Sequence, residues 1–223
     1  MSELYFVRHG QAAFGTDDYD RLTDLGIQQS QWIGEYFAER GVRFDRILTG
    51  ALVRHRETLQ AMNGSLRFRG DAETDPGLNE FAHEALRDAH VGSSPEASRS
   101  EEDTPQSFYR RLEVALHAWA AGTIEAGVGE TWQDFTRRVT TALLGACAGR
   151  GRRVLIVSSG GPMAVALGTV LGLSDAQIIA LSMQVKNTAF SHFYFDEQRV
   201  QLASFNNIPH LDRAERRHAI TLT

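Results

Sequence analysis

Apolar residues along this chain alternate between two periods, one of short continuous runs and one of helical spacing. Leu4-Tyr5-Phe6-Val7 is wholly apolar and ends in the charged, glycine-containing turn Arg8-His9-Gly10. A short run that is apolar on both faces predicts a buried parallel strand rather than an amphipathic edge strand. Thr23 then offers a cap for a helix whose apolar face runs through Leu25, Ile27, Trp32, Ile33, Tyr36 and Phe37, with Gly41 placed to end it. The unit repeats as a strand over 46–49, a helix over 51–62 and a short strand over 66–69. Residues 154–157 form the most apolar short run and the best candidate for a central strand. Ser158-Ser159-Gly160-Gly161-Pro162 leads directly from it into a helix, with Pro162 near the start and Gly172 at the end. Residues 189–195 and 200–205, joined by 196–199, read as a closing hairpin.

Between 81 and 129 the strand signals vanish. A polar stretch over 92–106 precedes an apolar-periodic helix around Phe108, Leu112, Ala115, Leu116 and Trp119, and Thr131 and Asp134 form an approximate capping box for a helix running to about 148. Alternating strands and helices imply an α/β fold, a three-layer α/β/α sandwich on a mostly parallel central sheet. The expected organisation is a single domain over 1–223 carrying a helical insertion at about 81–130.

Composition narrows the class without changing the fold. The chain has 23 Lys and Arg against 28 Asp and Glu, with no basic run, so it carries no electrostatic footprint for nucleic acid. Its single cysteine, Cys147, rules out an intramolecular disulfide and a CxxC metal or redox site. The N-terminal segment is acidic where a signal peptide is basic, and too short in apolar length for a membrane span. A cytoplasmic location and no membrane partner are expected, and a homo-oligomer is compatible with the sequence.

In a sheet of this kind ligands bind beyond the carboxyl ends of the strands, so residues just past Val7, Leu48 and Val157 should converge. Those residues are Arg8 and His9, then Arg54, then Ser159, Gly160 and Gly161. Two guanidiniums, an imidazole and forward-pointing N–H groups suit a dianionic tetrahedral oxyanion, with phosphate the natural ligand. The histidines show no metal-ligand spacing, and no metal and no cofactor are expected. Gly127-Val128-Gly129 follows no strand and lacks the third glycine of a dinucleotide loop. Met residues, Trp32 and Trp119 fall on apolar helix faces and read as core.

Four stretches resemble the histidine phosphatase superfamily, which includes the phosphoglycerate mutases. Leu4 to Gln11 is similar to the family's opening strand and nucleophile motif, and Leu22 to Gln29 to its Leu-Thr-x-x-Gly-x-x-Gln helix start. Thr49 to Thr58 resembles its Ser-x-Leu-x-Arg-x-x-x-Thr segment, and Leu78-Asn79-Glu80 its Leu-x-Glu motif. The resemblance implies His9 as nucleophile, Glu80 as proton donor, and Arg8, Arg54, Gln11, Ser159 and Gly160 as phosphate ligands. It implies a metal-independent phosphoric monoester hydrolase of the histidine acid phosphatase type, working through a phosphohistidine on a small-molecule or peptide-borne ester and releasing inorganic phosphate. Glu80 would need a raised pKa to give a proton and take one back.

One position departs from the pattern. The family usually carries a second histidine in a Ser-His-Gly-Gly context, and Ser159 stands there, as in a branch of the family with serine at this place. A hydroxyl still donates a hydrogen bond but brings no charge, so activity could be reduced. The alternatives are phosphoglycerate mutase-type phosphotransfer and a weakly active or non-catalytic phospho-ligand binding protein. Among the other histidines, His55 adjoins Arg54 but should point about 100° away around its helix. His83 lies soon after Glu80 and could lean into the pocket, whereas His192 reads as a packed or surface residue. His90, His117, His210 and His218 are weaker candidates.

Overall fold

The two periods resolve into a central sheet with helices on either side. The computed structural model describes residues 1–13, 20–93, 105–124, 129–149 and 151–222, leaving aside the side chains of 91–93, 105, 106 and 108. In chain order the elements are β1 (Ser2–Arg8), α1 (Asp24–Glu39), β2 (Arg46–Thr49), α2 (Val53–Leu66), β3 (Glu73–Thr74), α3 (His83–Ser93), α4 (Pro105–Ala120), α5 (Trp132–Ala148), β4 (Arg153–Ser158), α6 (Gly160–Leu171), α7 (Asp175–Ser182), β5 (Phe190–Phe195) and β6 (Val200–Asn207). The sheet order is β3-β2-β4-β1-β5-β6. Strands β1 to β4 pair in parallel, and the β5–β6 hairpin is antiparallel to them.

Strand period 2 explains why the central runs contain no polar residue. Leu4 and Phe6 of β1, with Val154 and Ile156 of β4, turn to one face and pack under Leu143, Ala146, Met163 and Leu167 of α5 and α6. Val7, Leu155 and Val157 turn to the other face and meet Ile33, Phe37 and Met62 of α1 and α2. Both faces are covered, as the expected three-layer arrangement requires. A third cluster joins the region after β3 to the rest: Phe81, Leu86, Leu116 and Trp119 pack with Trp132, Phe135 and Val139 of α5 and Ile178 of α7.

Several local signals hold as read. Thr23 caps α1 by accepting from Gly26 N–H, and Thr131 and Asp134 form a reciprocal capping box on α5. Other readings are corrected. Residues 66–69 are not a strand: α2 runs on to Leu66, Arg67 adopts φ 51° as its C-cap, and Asn63 Oδ1 accepts from Phe68 N–H at 2.8 Å. Leu66 and Phe68 alternate like strand residues because both sit against the Ile33–Phe37 cluster, not because they pair. The third strand is only Glu73–Thr74, its edge tied by a bidentate Arg46–Glu73 contact with both N···O distances 2.6 Å.

The buried face of α1 also differs. It is made of Gly26, Gln29, Ser30, Ile33, Gly34 and Phe37, while Ile27 is exposed and Trp32 lies half-buried beneath the Arg216 guanidinium. Close approach to α2 selects small residues here. A Cβ on Gly34 would lie 2.5 Å from the Met62 carbonyl oxygen. Helix α7, capped by Ser174 and Gln177, had no counterpart in the sequence reading. The polar stretch 94–104 and the Gly127-Val128 pair lie outside the described residues, as does the side chain of Phe108. Among the described residues no helix is long and apolar enough to cross a membrane.

Candidate active site

Strand β1 delivers His9 to the carboxyl edge of the sheet, and hydrogen bonds from three directions fix it there. His9 N–H donates to the Ser158 carbonyl at 2.8 Å, joining the ends of β1 and β4. The His9 carbonyl accepts from Thr188 N–H at 3.2 Å and from the Asn187 side chain at 3.4 Å. Gly10 N–H donates to Thr58 Oγ1 at 3.0 Å, tying the turn to α2. The ring is almost wholly buried, and its Nδ1 lies 2.7 Å from the Gly10 carbonyl oxygen. A carbonyl only accepts, so Nδ1 carries the proton and Nε2 is left with a lone pair. Burial, and then the positive charges of Arg54 and Arg8, hold the imidazole pKa well below its ordinary value. The ring is therefore neutral at pH 7, the form a nucleophile needs.

His9 opens on a cavity of about 80 Å³ shared with Arg8, Arg54, Glu80, His83, Gly160 and Gly161. The Arg8 guanidinium donates to the Val185 carbonyl, which aims it across the strand ends. Arg54 is buried near the start of α2 and pairs with Asp20 at 2.8 Å. Asp20 also accepts from Val53 N–H at 2.8 Å, so one carboxylate caps α2 and holds its arginine.

Glu80 reaches the cavity from the far side. Its two oxygens accept from Gly161 N–H at 3.1 Å and from Phe81 N–H at 3.3 Å. Burial raises its pKa, while the Gly161 N–H and the Arg54 and Arg8 charges pull the other way and leave a net rise. This is the direction expected of a carboxyl that must hold a proton near neutral pH. Its seat depends on the absence of a side chain at Gly161, where a Cβ would lie 2.2 Å from Glu80 Oε1. Gly161→Ala is accordingly expected to displace the carboxyl. Turnover of an ester with a poor leaving group should fall on the order of tenfold, a part of the roughly 10²–10⁴ that proton transfer contributes. An unchanged kcat in a folded Gly161→Ala variant would contradict this placement.

The sequence-derived residues are only partly brought together. Arg8, His9, Arg54, Glu80 and Gly160 converge on the cavity, and His83 joins them as anticipated. Burial, with Arg54 next in effect, lowers the His83 pKa to about 4, so it is neutral there. Gln11 turns to α1 instead: its N–H donates to Gln29 and its side-chain oxygen accepts from Thr23 Oγ1 at 2.9 Å. The Ser159 side chain is enclosed and is not part of the cavity wall. His55, expected to point away, is fully buried with Nε2 2.7 Å from Ser159 Oγ. A 100° step does not expose a residue on a helix that is covered on two sides.

The sequence reading missed other contributors. Asp20, Asn187 and Thr188 position the arginine and the nucleophile, and Thr221 donates to Asn187 Oδ1 at 2.8 Å from the C-terminal tail. Tyr109, Met183 and Leu222 line the cavity. None lies in a periodic pattern or a recognisable spacing. A larger cleft of about 1040 Å³ near Met1, Cys147 and Arg199 lies elsewhere. Burial pushes its Cys147 thiol up to about 11, so the sulfur is protonated and a poor nucleophile at neutral pH. Among the described residues no group of three or more His, Cys, Asp or Glu side chains is placed to hold a metal ion.

An α/β/α sandwich with a histidine and two arginines gathered at its strand ends defines a protein of the phosphoryl-transfer class. The chain belongs to the histidine phosphatase superfamily (branch 1), whose family model matches residues 4–208. It is 28% identical over 191 residues to a 2,3-bisphosphoglycerate-dependent phosphoglycerate mutase of Rhizobium etli, covering 81% of this chain and 84% of that protein. In fold it is similar to a phosphoserine phosphatase of Entamoeba histolytica, with TM-score 0.66, 21% identity and coverage of 95% of this chain and 100% of the other. It is likewise similar to a putative alpha-ribazole-5'-P phosphatase of Escherichia coli, with TM-score 0.68, 19% identity and coverage of 93% and 97%. Family membership supports a function of the phosphatase or mutase kind.

Proposed function

We propose that the protein is a metal-independent phosphomonoesterase that works through a phosphohistidine at His9. The observation that carries this reading is the His9 ring, neutral, with Nδ1 engaged by Gly10 and Nε2 left as a lone pair, in one cavity with Arg8, Arg54 and Glu80. In the first step Nε2 forms a bond to phosphorus, the ester P–O bond breaks, and the Glu80 proton passes to the departing oxygen. In the second, water attacks phosphorus, its proton passes to Glu80, and the P–N bond breaks to release phosphate. Arg8 and Arg54 meet the equatorial oxygen charge throughout by fixed electrostatics. Gly160 N–H, at the amino end of α6, adds partial positive charge.

The rest of the wall favours hydrolysis over mutase transfer. Beyond the phosphate end it is formed by Phe81, Tyr109, Leu112, Leu116, Met183 and Leu222. Among the described residues that line the cavity, Arg8 and Arg54 are the only Lys or Arg. A phosphoglycerate-like ligand needs a further cation for its carboxylate, whereas an apolar or aromatic alcohol matches this wall. The chain is expected to hydrolyse an aryl phosphate at an undiminished rate in EDTA, and rapid quench should trap acid-labile phosphate on His9. Absence of turnover over a broad panel of phosphoesters would sink the enzyme reading, and loss of activity in EDTA would sink its metal-free form.

A further inference from the structure

The residue that sequence reasoning turned outward makes the most informative contact behind the nucleophile. Ser159 is the N-cap of α6, yet its side chain accepts no capping bond. N-cap serines normally accept from the second or third helical N–H. Here the third position is Pro162, which has none, and the Gly161 N–H is donated to Glu80. The Ser159 hydroxyl is thereby released from its helix, and its one protein partner among the described residues is His55 Nε2 at 2.7 Å.

The His55 ring is fully buried, with its centroid 5.8 Å from that of His9. Burial, and then Arg54 and Arg56, keep it neutral. Its Nδ1 has no hydrogen-bond partner and lies over Gly50, where a Cβ would be 2.3 Å away. Any side chain at 50 would evict the ring, so Gly50, His55 and Ser159 form one fitted unit. A buried orphan N–H is rarer and more costly than an under-used lone pair, which places the single ring proton on Nε2, donated to Ser159 Oγ. The Ser159 O–H then has no acceptor among the described protein atoms, while Gly160, the next residue, lines the cavity.

We propose that His55 is a positioning residue that orients the Ser159 hydroxyl as a hydrogen-bond donor to a phosphoryl oxygen bound beside Arg8, Arg54 and Gly160. The bound oxyanion completes the Ser159 hydrogen bonds, and donation strengthens as charge builds on that oxygen. This assignment rests on the phosphatase reading for its catalytic consequence, although the binding consequence stands without turnover.

The test compares Ser159→Ala, His55→Leu, His55→Gln and the His55→Leu/Ser159→Ala double variant. Two readouts are used: kcat and KM on an aryl phosphate, and vanadate affinity by calorimetry. Ser159→Ala is expected to lower kcat and vanadate affinity on the order of 10²-fold, with KM little changed, as loss of an oxyanion donor does. His55→Leu should lower both on the order of tenfold, consistent with loss of one aligning hydrogen bond. His55→Gln, whose amide nitrogen reaches the place of Nε2, should restore most of that loss. The double variant should be no worse than Ser159→Ala, because His55 acts through Ser159.

A folded His55→Leu protein with wild-type kcat and vanadate affinity overturns the proposal. So does a double variant whose loss is the product of the two single losses. If His55→Leu does not fold, the Gln variant decides, since a folded His55→Gln as impaired as Ser159→Ala also overturns it. Should the wild type turn over no ester, the phosphatase reading fails, and the vanadate affinities of the same variants still decide the role of the pair.

Discussion

His9→Ala is expected to abolish ester hydrolysis while leaving inorganic phosphate bound within a few-fold of the wild-type affinity. The nucleophile is lost, but Arg8, Arg54 and the α6 amino end remain, with Arg54 still held by Asp20 and Arg8 by Val185. Removing a covalent nucleophile elsewhere lowers kcat on the order of 10⁴- to 10⁶-fold. The substitution also removes a ring that is only 4% exposed, so some loss of Tm follows from the space left behind. The backbone hydrogen bonds that fix residue 9 do not involve the side chain, and the turn should persist. Single-turnover kinetics with calorimetric phosphate binding separate the two effects. A variant that binds phosphate normally and still forms acid-labile phosphoprotein would assign the covalent step to another residue.

Glu80→Gln should give the second-largest loss, roughly 10²- to 10⁴-fold, and its size should depend on the leaving group. An ester of a weakly acidic alcohol needs a proton on the departing oxygen, whereas a nitrophenolate-type group leaves without one. The variant is therefore expected to be nearly normal in the first step for activated aryl esters and severely slowed for alkyl esters. Its pH dependence follows from the two shifted groups. Burial raises the Glu80 pKa, so the protonated acid persists to higher pH than an exposed glutamate allows, and kcat/KM for an alkyl ester declines as pH rises through that raised value. Burial lowers the His9 pKa, so the lone pair survives to lower pH, and activity declines only as pH falls through that depressed value. Glu80→Gln should remove the alkaline limb and keep the acid one. The ester itself ionises near pH 6, and a limb common to both proteins belongs to it. An unchanged alkaline limb in the variant would remove Glu80 from the role of acid.

Much of the fold was legible because its signals are local. The apolar runs at 4–7 and 154–157 have no polar face to spare, and strands of that kind must lie between helix layers, where β1 and β4 do lie. The caps at Thr23 and Thr131 are read from residues three apart. The false strand at 66–69 shows the limit of such reading: Leu66 and Phe68 are spaced as in a strand, but Asn63 and the left-handed Arg67 make a helix end there. Trp32 and Ile27 mislead in the same way, being apolar on the side of α1 that the sheet does not cover.

For the site, the sequence by itself determined the phosphate end. Arg8, His9, Arg54 and Gly160 each follow a strand end, and parallel topology brings strand ends together whatever the loops between them do. Only the tertiary structure decided how those groups are aimed. Asp20 on Arg54, the Asn187 and Thr188 grip on the His9 carbonyl, Leu222 at the cavity wall and the His55–Ser159 pair all join segments far apart in the chain, the last across 104 positions. Such contacts have no period and no spacing. The side of a helix that a histidine turns to is unambiguous in sequence only when the other side meets water, and α2 at His55 is enclosed on both.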